Sequence, residues 1–152
     1  MNAESAMEGG IAGATTLTIL HEIVRKLDKD APRMDELGKE ALGKLFKKLN
    51  LDVPDNDKLQ VLSTGVELIS NGLFYSLAGA AGKNNVYLRG IFLGFTAGIA
   101  AVALPGKLGL DERASNRTDK TKIMTIAWYM IGGVVAAAVT ERLEERRRKY
   151  NR

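Results

Sequence analysis

The sequence predicts an all-α protein, a four-helix transmembrane bundle with an amphipathic helix between spans one and two. Three observations carry this. Four apolar segments alternate with three charged connectors and a charged tail, so a near-neutral mean hydropathy hides a block pattern. The segments approach or reach the roughly 20 residues that a spanning helix needs. Sixteen glycines against three prolines is a high ratio, and most of the glycines sit inside the apolar runs and not in linkers. With 152 residues, the chain has the length of one ordinary domain, read here as a single helical membrane domain over residues 1–152.

Span one covers about residues 9–24, "GGIAGATTLTILHEIV", and is short unless the helix starts earlier, around Ala3 to Met7. Glu4 and Glu8 stand where a signal peptide would be basic, and no small-residue cleavage site follows, so the segment is expected to be retained. An amphipathic helix is expected over about 31–50. Pro32 stands near its start, Asp35 and Glu36 suit the positive end of its dipole, and Met34, Leu37, Ala41, Leu42, Leu45, Phe46 and Leu49 recur on one face. Its lysines, Lys39, Lys44, Lys47 and Lys48, lie largely off that face. Such a helix either lies in the headgroup plane or caps the bundle. Pro54 and the surrounding Asx residues then make a turn.

Span two covers about 59–82 and contains Glu67, Asn71 and Tyr75 at i, i+4 and i+8, one polar stripe on a helix. Span three, about 86–106, has no charge from Gly90 to Gly106, and span four covers about 123–140. A basic tail, 141–152, follows. The competing fold is a soluble, glycine-rich helical bundle. Spans three and four offer water no polar face, which favours the membrane.

Between helices in lipid, small residues allow the close backbone approach that drives association. Gly90, Gly94 and Gly98 form a GxxxGxxxG ridge, and Gly132 and Gly133 pair with Ala136 and Ala137 at the same spacing. Gly9 and Gly13 repeat it in span one. These ridges build either the monomer core or a dimer face. Fourteen Lys and Arg lie in the first and third connectors and eight in the second connector and tail, but the "RRRK" cluster of the tail opposes that vote on orientation.

With no cysteine and one histidine, thiolate chemistry and multi-histidine metal sites are excluded; no cofactor and no metal is expected. Interleaved acids and the lack of an aromatic-basic surface argue against nucleic acid despite a basic charge balance. "HEIVR" lacks the second histidine of a metalloprotease. "NRT" at residues 116–118 matches a glycosylation sequon, and Thr118 or Asp119 serves equally as the cap of helix four.

Four spans bring the first and third connectors to one side. That side collects His21, Glu22, Asp30, Arg33, Asp35, Asn116 and Arg117, with Glu67 a few turns into span two. A charge within a bilayer is costly, so Glu67 is expected to face inward, paired or protonated. His21 is the expected partner, with Thr18, Thr64 and Asn71 as alternatives. The stripe Glu67-Asn71-Tyr75 either lines a wet cavity or glues helices.

"HEIVRKLDKDAPRMDELGKEAL", "SNGLFYSL" and "LGLDERASNRT" together resemble a group of small bacterial integral membrane proteins with four spans and no assigned activity. That resemblance implies a multi-pass protein of the bacterial inner membrane and marks His21, Asp30, Pro32, Arg33, Asp35, Asn71, Tyr75, Asn116 and Arg117. The expected role is non-enzymatic: binding of a lipid headgroup, a small solute or a partner membrane protein. Membrane lipids, a further copy or a partner membrane protein are the expected partners. The alternative is a small lipid-active enzyme using His21 with Glu67 or Glu22 as acid and base.

Overall fold

The structure, a computed structural model, describes residues 1–80 and 82–150. Among them are six helices and no strand: α1 (Ala3–Leu27), α2 (Met34–Lys48), α3 (Asn56–Ala80), α4 (Val86–Lys107), α5 (Arg113–Asn116) and α6 (Asp119–Tyr150). The fold is an all-α bundle, and the four apolar segments lie in α1, α3, α4 and α6. Ala81, in the expected second span, and residues 151–152 of the expected tail lie outside the described residues.

α1 gains its length at the front. The Asn2 side chain accepts a hydrogen bond from the Glu4 N–H at 3.0 Å, an N-cap that lets the helix start ahead of Gly9. α2 starts at Met34, later than the expected 31, because the Arg33 N–H donates across the molecule to the Ala114 carbonyl at 2.8 Å. It ends at a left-handed Asn50 (φ 54°), with the Leu51 N–H bonded back to the Phe46 carbonyl at 2.9 Å. Gly109 (φ 70°) ends α4 in the same way, with Leu110 bonded to the Pro105 carbonyl. The short α5 was not expected. The residues expected as a free basic tail continue α6 instead: Arg147 pairs with Glu4 at 2.6 Å and with Glu8 at 3.3 Å, which holds the end of α6 against the start of α1.

α6 is the hub, packed against α1 on one side and α4 on another; α1 also packs on α3, while α3 touches α4 only lightly. The glycines decide this. A Cβ at Gly98 would lie 2.7 Å from the Ile126 Cα, one at Gly94 would lie 2.6 Å from the Met130 Cα, and one at Gly90 would collide with the Gly133 carbonyl. The ridge on α4 is therefore an internal α4–α6 interface, and the choice between monomer core and dimer face falls on the core. Gly13 meets Gly132 and Ala136 across the α1–α6 contact, and Gly10 meets the Gly72 carbonyl of α3.

The inside is small and the outside is large. Ala14, Ala78, Ala136 and Ala137 are fully buried, whereas Leu88 and Phe92 are 65% and 67% exposed, and Ile11, Ile19, Ile69 and Leu73 also face outward. Water-soluble domains bury their large aliphatic and aromatic side chains; this chain turns them out. Several hydroxyls are satisfied within their own helices: Thr16 bonds the Ala12 carbonyl, Thr18 that of Ala14 and Thr140 that of Ala136. α4 and α6 are long and apolar enough to cross a membrane, and only 22% of the most apolar stretch of α4 is buried within the bundle. A core helix of a soluble protein would be mostly covered. α1 and α3 have 25 residues each, but among the described residues only α4 and α6 combine such length with the apolarity of a span, so the expected four spans are met by two.

Candidate ligand-binding site

Because α3 and α4 barely touch, a gap opens between them, and the first half of α2 covers it. The result is a groove of about 560 Å³. α4 contributes small residues, Ala97, Ala100 and Ala101, to one wall; Phe74, Asn71 and Glu67 of α3 form the opposite wall; Met34, Leu37 and Ala41 of α2 make the roof. Tyr129 of α6 closes the back. The lining is mostly apolar, and its polar groups converge on Glu67, Asn71 and Tyr129.

Tyr129 is held on both sides. The Tyr75 hydroxyl donates to the Tyr129 carbonyl at 2.8 Å, and its ring occupies the space left by the missing side chain of Gly132. The His21 ring stands edge-on to the Tyr129 ring, with centroids 6.0 Å apart, and Asn71 lines the groove together with Tyr129. The stripe of α3 therefore splits by role. Tyr75, fully buried, joins helices; Asn71 and Glu67 face the groove.

Behind Glu67 lies a second, smaller cavity of about 220 Å³, lined by Thr18, His21, Glu22 and Arg25 of α1, Pro32, Met34 and Asp35, and Gln60, Thr64 and Glu67 of α3. Glu67 lines both spaces. Arg25 crosses to Asp35 and also pairs with Glu22 at 2.8 Å, tying α1 to the start of α2. Gln60 donates to Thr64 at 3.2 Å. His21 is 8% exposed, and both ring nitrogens are sealed with no partner among the described residues. The expected His21–Glu67 pair is therefore not formed. The two side chains share a cavity wall without touching, because the His21 ring is turned against Tyr129 and Thr18 satisfies its hydroxyl within α1. Among the described residues Glu67 has neither an ion-pair partner nor a hydrogen bond, and its oxygens are not among the sealed atoms.

Besides the buried Tyr75, four expected site residues, Asp30, Arg33, Asn116 and Arg117, lie outside both cavities. They stitch the first connector to the third. Thr121 donates to the Asp30 carbonyl at 2.8 Å, Arg117 to the Lys29 carbonyl, and Asn116 to that of Val102 at 3.3 Å. Lys120 pairs with Asp28 at 2.5 Å, which holds that carboxyl below the usual range. Lys44 pairs with Glu40 at 2.8 Å, and the Asp111 N–H donates to the same carboxylate at 2.8 Å; together they hold Glu40 low. The Thr118 hydroxyl accepts from the Thr121 N–H at 3.1 Å, so "NRT" is used as the cap of α6. The connectors thus meet on one side, as helix connectivity requires, and lock α2 over the groove.

Sequence reasoning passed over Tyr129 and Arg25. Tyr129 lies one turn before Gly132 and Gly133 on the most crowded helix, and Arg25 lies one turn after His21 and Glu22; both spacings were readable. Among the described residues no group of three His, Asp or Glu side chains is placed to hold a metal ion. Comparison with known proteins finds no matching family model, no matching curated protein and no matching solved structure.

Proposed function

We propose that this chain is a multi-pass membrane protein, with α1, α3, α4 and α6 as its four spans, that binds one small amphipathic molecule of the bilayer without transforming it. The observation that carries the reading is the groove between α3 and α4. It has the size of a single-ligand site, its walls are apolar, and it opens beside the outward Leu and Phe side chains of α4. A bilayer component reaches it sideways without crossing water. The inner membrane of a bacterium, as the resemblance implies, is the proposed location. The non-enzymatic reading is supported by the state of the acid–base candidates. His21 is sealed on both nitrogens and Arg25 is engaged by two carboxylates, so no base within reach of a groove substrate is positioned by a second group.

Native mass spectrometry of the purified protein, released from lipid nanodiscs, tests the reading. The wild type is expected to retain one small ligand or lipid, and Ala101→Trp, which fills the groove, is expected to lose it while remaining folded. Equal retention by both overturns the proposal.

A further inference from the structure

Resting on that groove reading, we infer that the ligand is a single-chain amphipath bearing one cationic amine, whose charge sits against Glu67 while its chain runs along the alanine wall of α4. Among the described residues Glu67 is the one acidic or basic side chain that lines the groove, and no lysine or arginine lines it. An anionic head would meet an uncompensated carboxylate there, and a neutral one would leave it unpaired. A carboxylate facing an apolar space without a partner is expensive, and a cation brought in by the ligand removes that expense. The space behind Glu67 points the same way. There Arg25 is spent on Glu22 and Asp35, and Lys26 pairs with Glu22 at 3.1 Å, so neither cation compensates Glu67. Phe74 and Tyr129 line the same groove as Glu67, and aromatic faces attract amines and quaternary ammonium groups. The volume of about 560 Å³ suits one small ligand rather than a macromolecular partner.

Titration calorimetry of protein in phosphatidylcholine nanodiscs, with empty discs subtracted, tests this with two probes of equal chain length, dodecyltrimethylammonium and dodecanol. The wild type is expected to bind the cation tighter than the alcohol by about ten-fold or more, the scale of a charge-assisted contact. Glu67→Gln is expected to remove that preference and leave the alcohol's affinity unchanged. Ala101→Trp is expected to weaken both probes. If the wild type binds both probes equally, or Glu67→Gln keeps the preference, the charge recognition is overturned while the groove stands, provided Ala101→Trp still blocks both. If neither probe binds, or Ala101→Trp changes nothing, the groove reading fails and the inference with it. Should Glu67→Gln not fold, the wild-type comparison of the two probes decides alone.

Discussion

Gly94 stands where the backbones of α4 and α6 come closest, with the Tyr129 carbonyl and the Met130 Cα in the space of its absent Cβ. Neither atom is the flexible end of a side chain, so a larger residue must push the helices apart. Gly94→Leu is expected to destabilise the bundle by about 3 kcal/mol or more, above the usual cost of overpacking; thermal unfolding in detergent measures it. An unchanged melting temperature would show that the ridge faces lipid. For His21 and Glu67 the absence of a direct bond changes the expected outcome of a double-mutant cycle. His21→Leu and Glu67→Leu are expected to add to within about 0.5 kcal/mol, as sites without a shared bond do; a coupling well above that would restore the pair. The difference is instructive. The four-residue spacing of the glycines reads directly from sequence. Which way the His21 ring turns depends on Tyr129, more than one hundred residues away in the chain, and no local spacing encodes it.

Individual helices follow their local signals, and the joints follow contacts between them. Arg89, at the start of α4, donates to the carbonyls of Ala78 at 2.7 Å and Asn84 at 2.5 Å and also to that of Gly82, closing the end of α3 with a cation where the helix dipole is negative. Arg89→Met is expected to cost about 1.5–3 kcal/mol, the range for hydrogen bonds to a charged group, seen as a lower melting temperature. α2 divides its apolar face. Met34 and Leu37 are buried over the groove, while Leu45 and Leu49 stay exposed beside Lys47 and Lys48, so one half caps the bundle and the other half faces outward. The first half therefore follows the capping reading, and the second half leaves its apolar residues uncovered. Its lock to the third connector depends on carboxylates. Asp28 and Glu40 are held below their ordinary values by Lys120 and Lys44, so their contribution is fully present above about pH 4 and is lost as pH falls through the depressed values. Because the chain has no cysteine, a spin-label pair at Lys48 and Lys107 can be introduced cleanly. The distance distribution between them is expected to be narrow at neutral pH and to broaden below about pH 4.

At the scale of the whole molecule, with large side chains outside and glycine, alanine and threonine inside, the outer surface fits the apolar medium that the proposed membrane location supplies. Carbonate extraction is expected to leave the protein in the membrane pellet, and recovery as a monodisperse soluble protein without detergent would end the four-span proposal. Single cysteines at Asp52 and Arg113 are expected to react with a membrane-impermeant maleimide from one side, and a cysteine at Lys83 from the other; labelling of all three from one side would break the topology.

The sequence alone determined the five long helices, the small-residue ridges and the polar stripe of α3, because each is a periodic or local property of a single helix; α5 and the run of α6 on to Tyr150 were not among them. It also determined that both long connectors meet on one side, since an even number of crossings demands it. Only the tertiary structure decided that the α4 ridge is spent on α6, that α3 and α4 stand apart to leave a groove, that Arg25 takes Asp35, and that Glu67 is left without a partner between two cavities. Those outcomes follow from which helix faces which. That choice is settled by fitting all the glycine and alanine surfaces at once, and no single segment contains it.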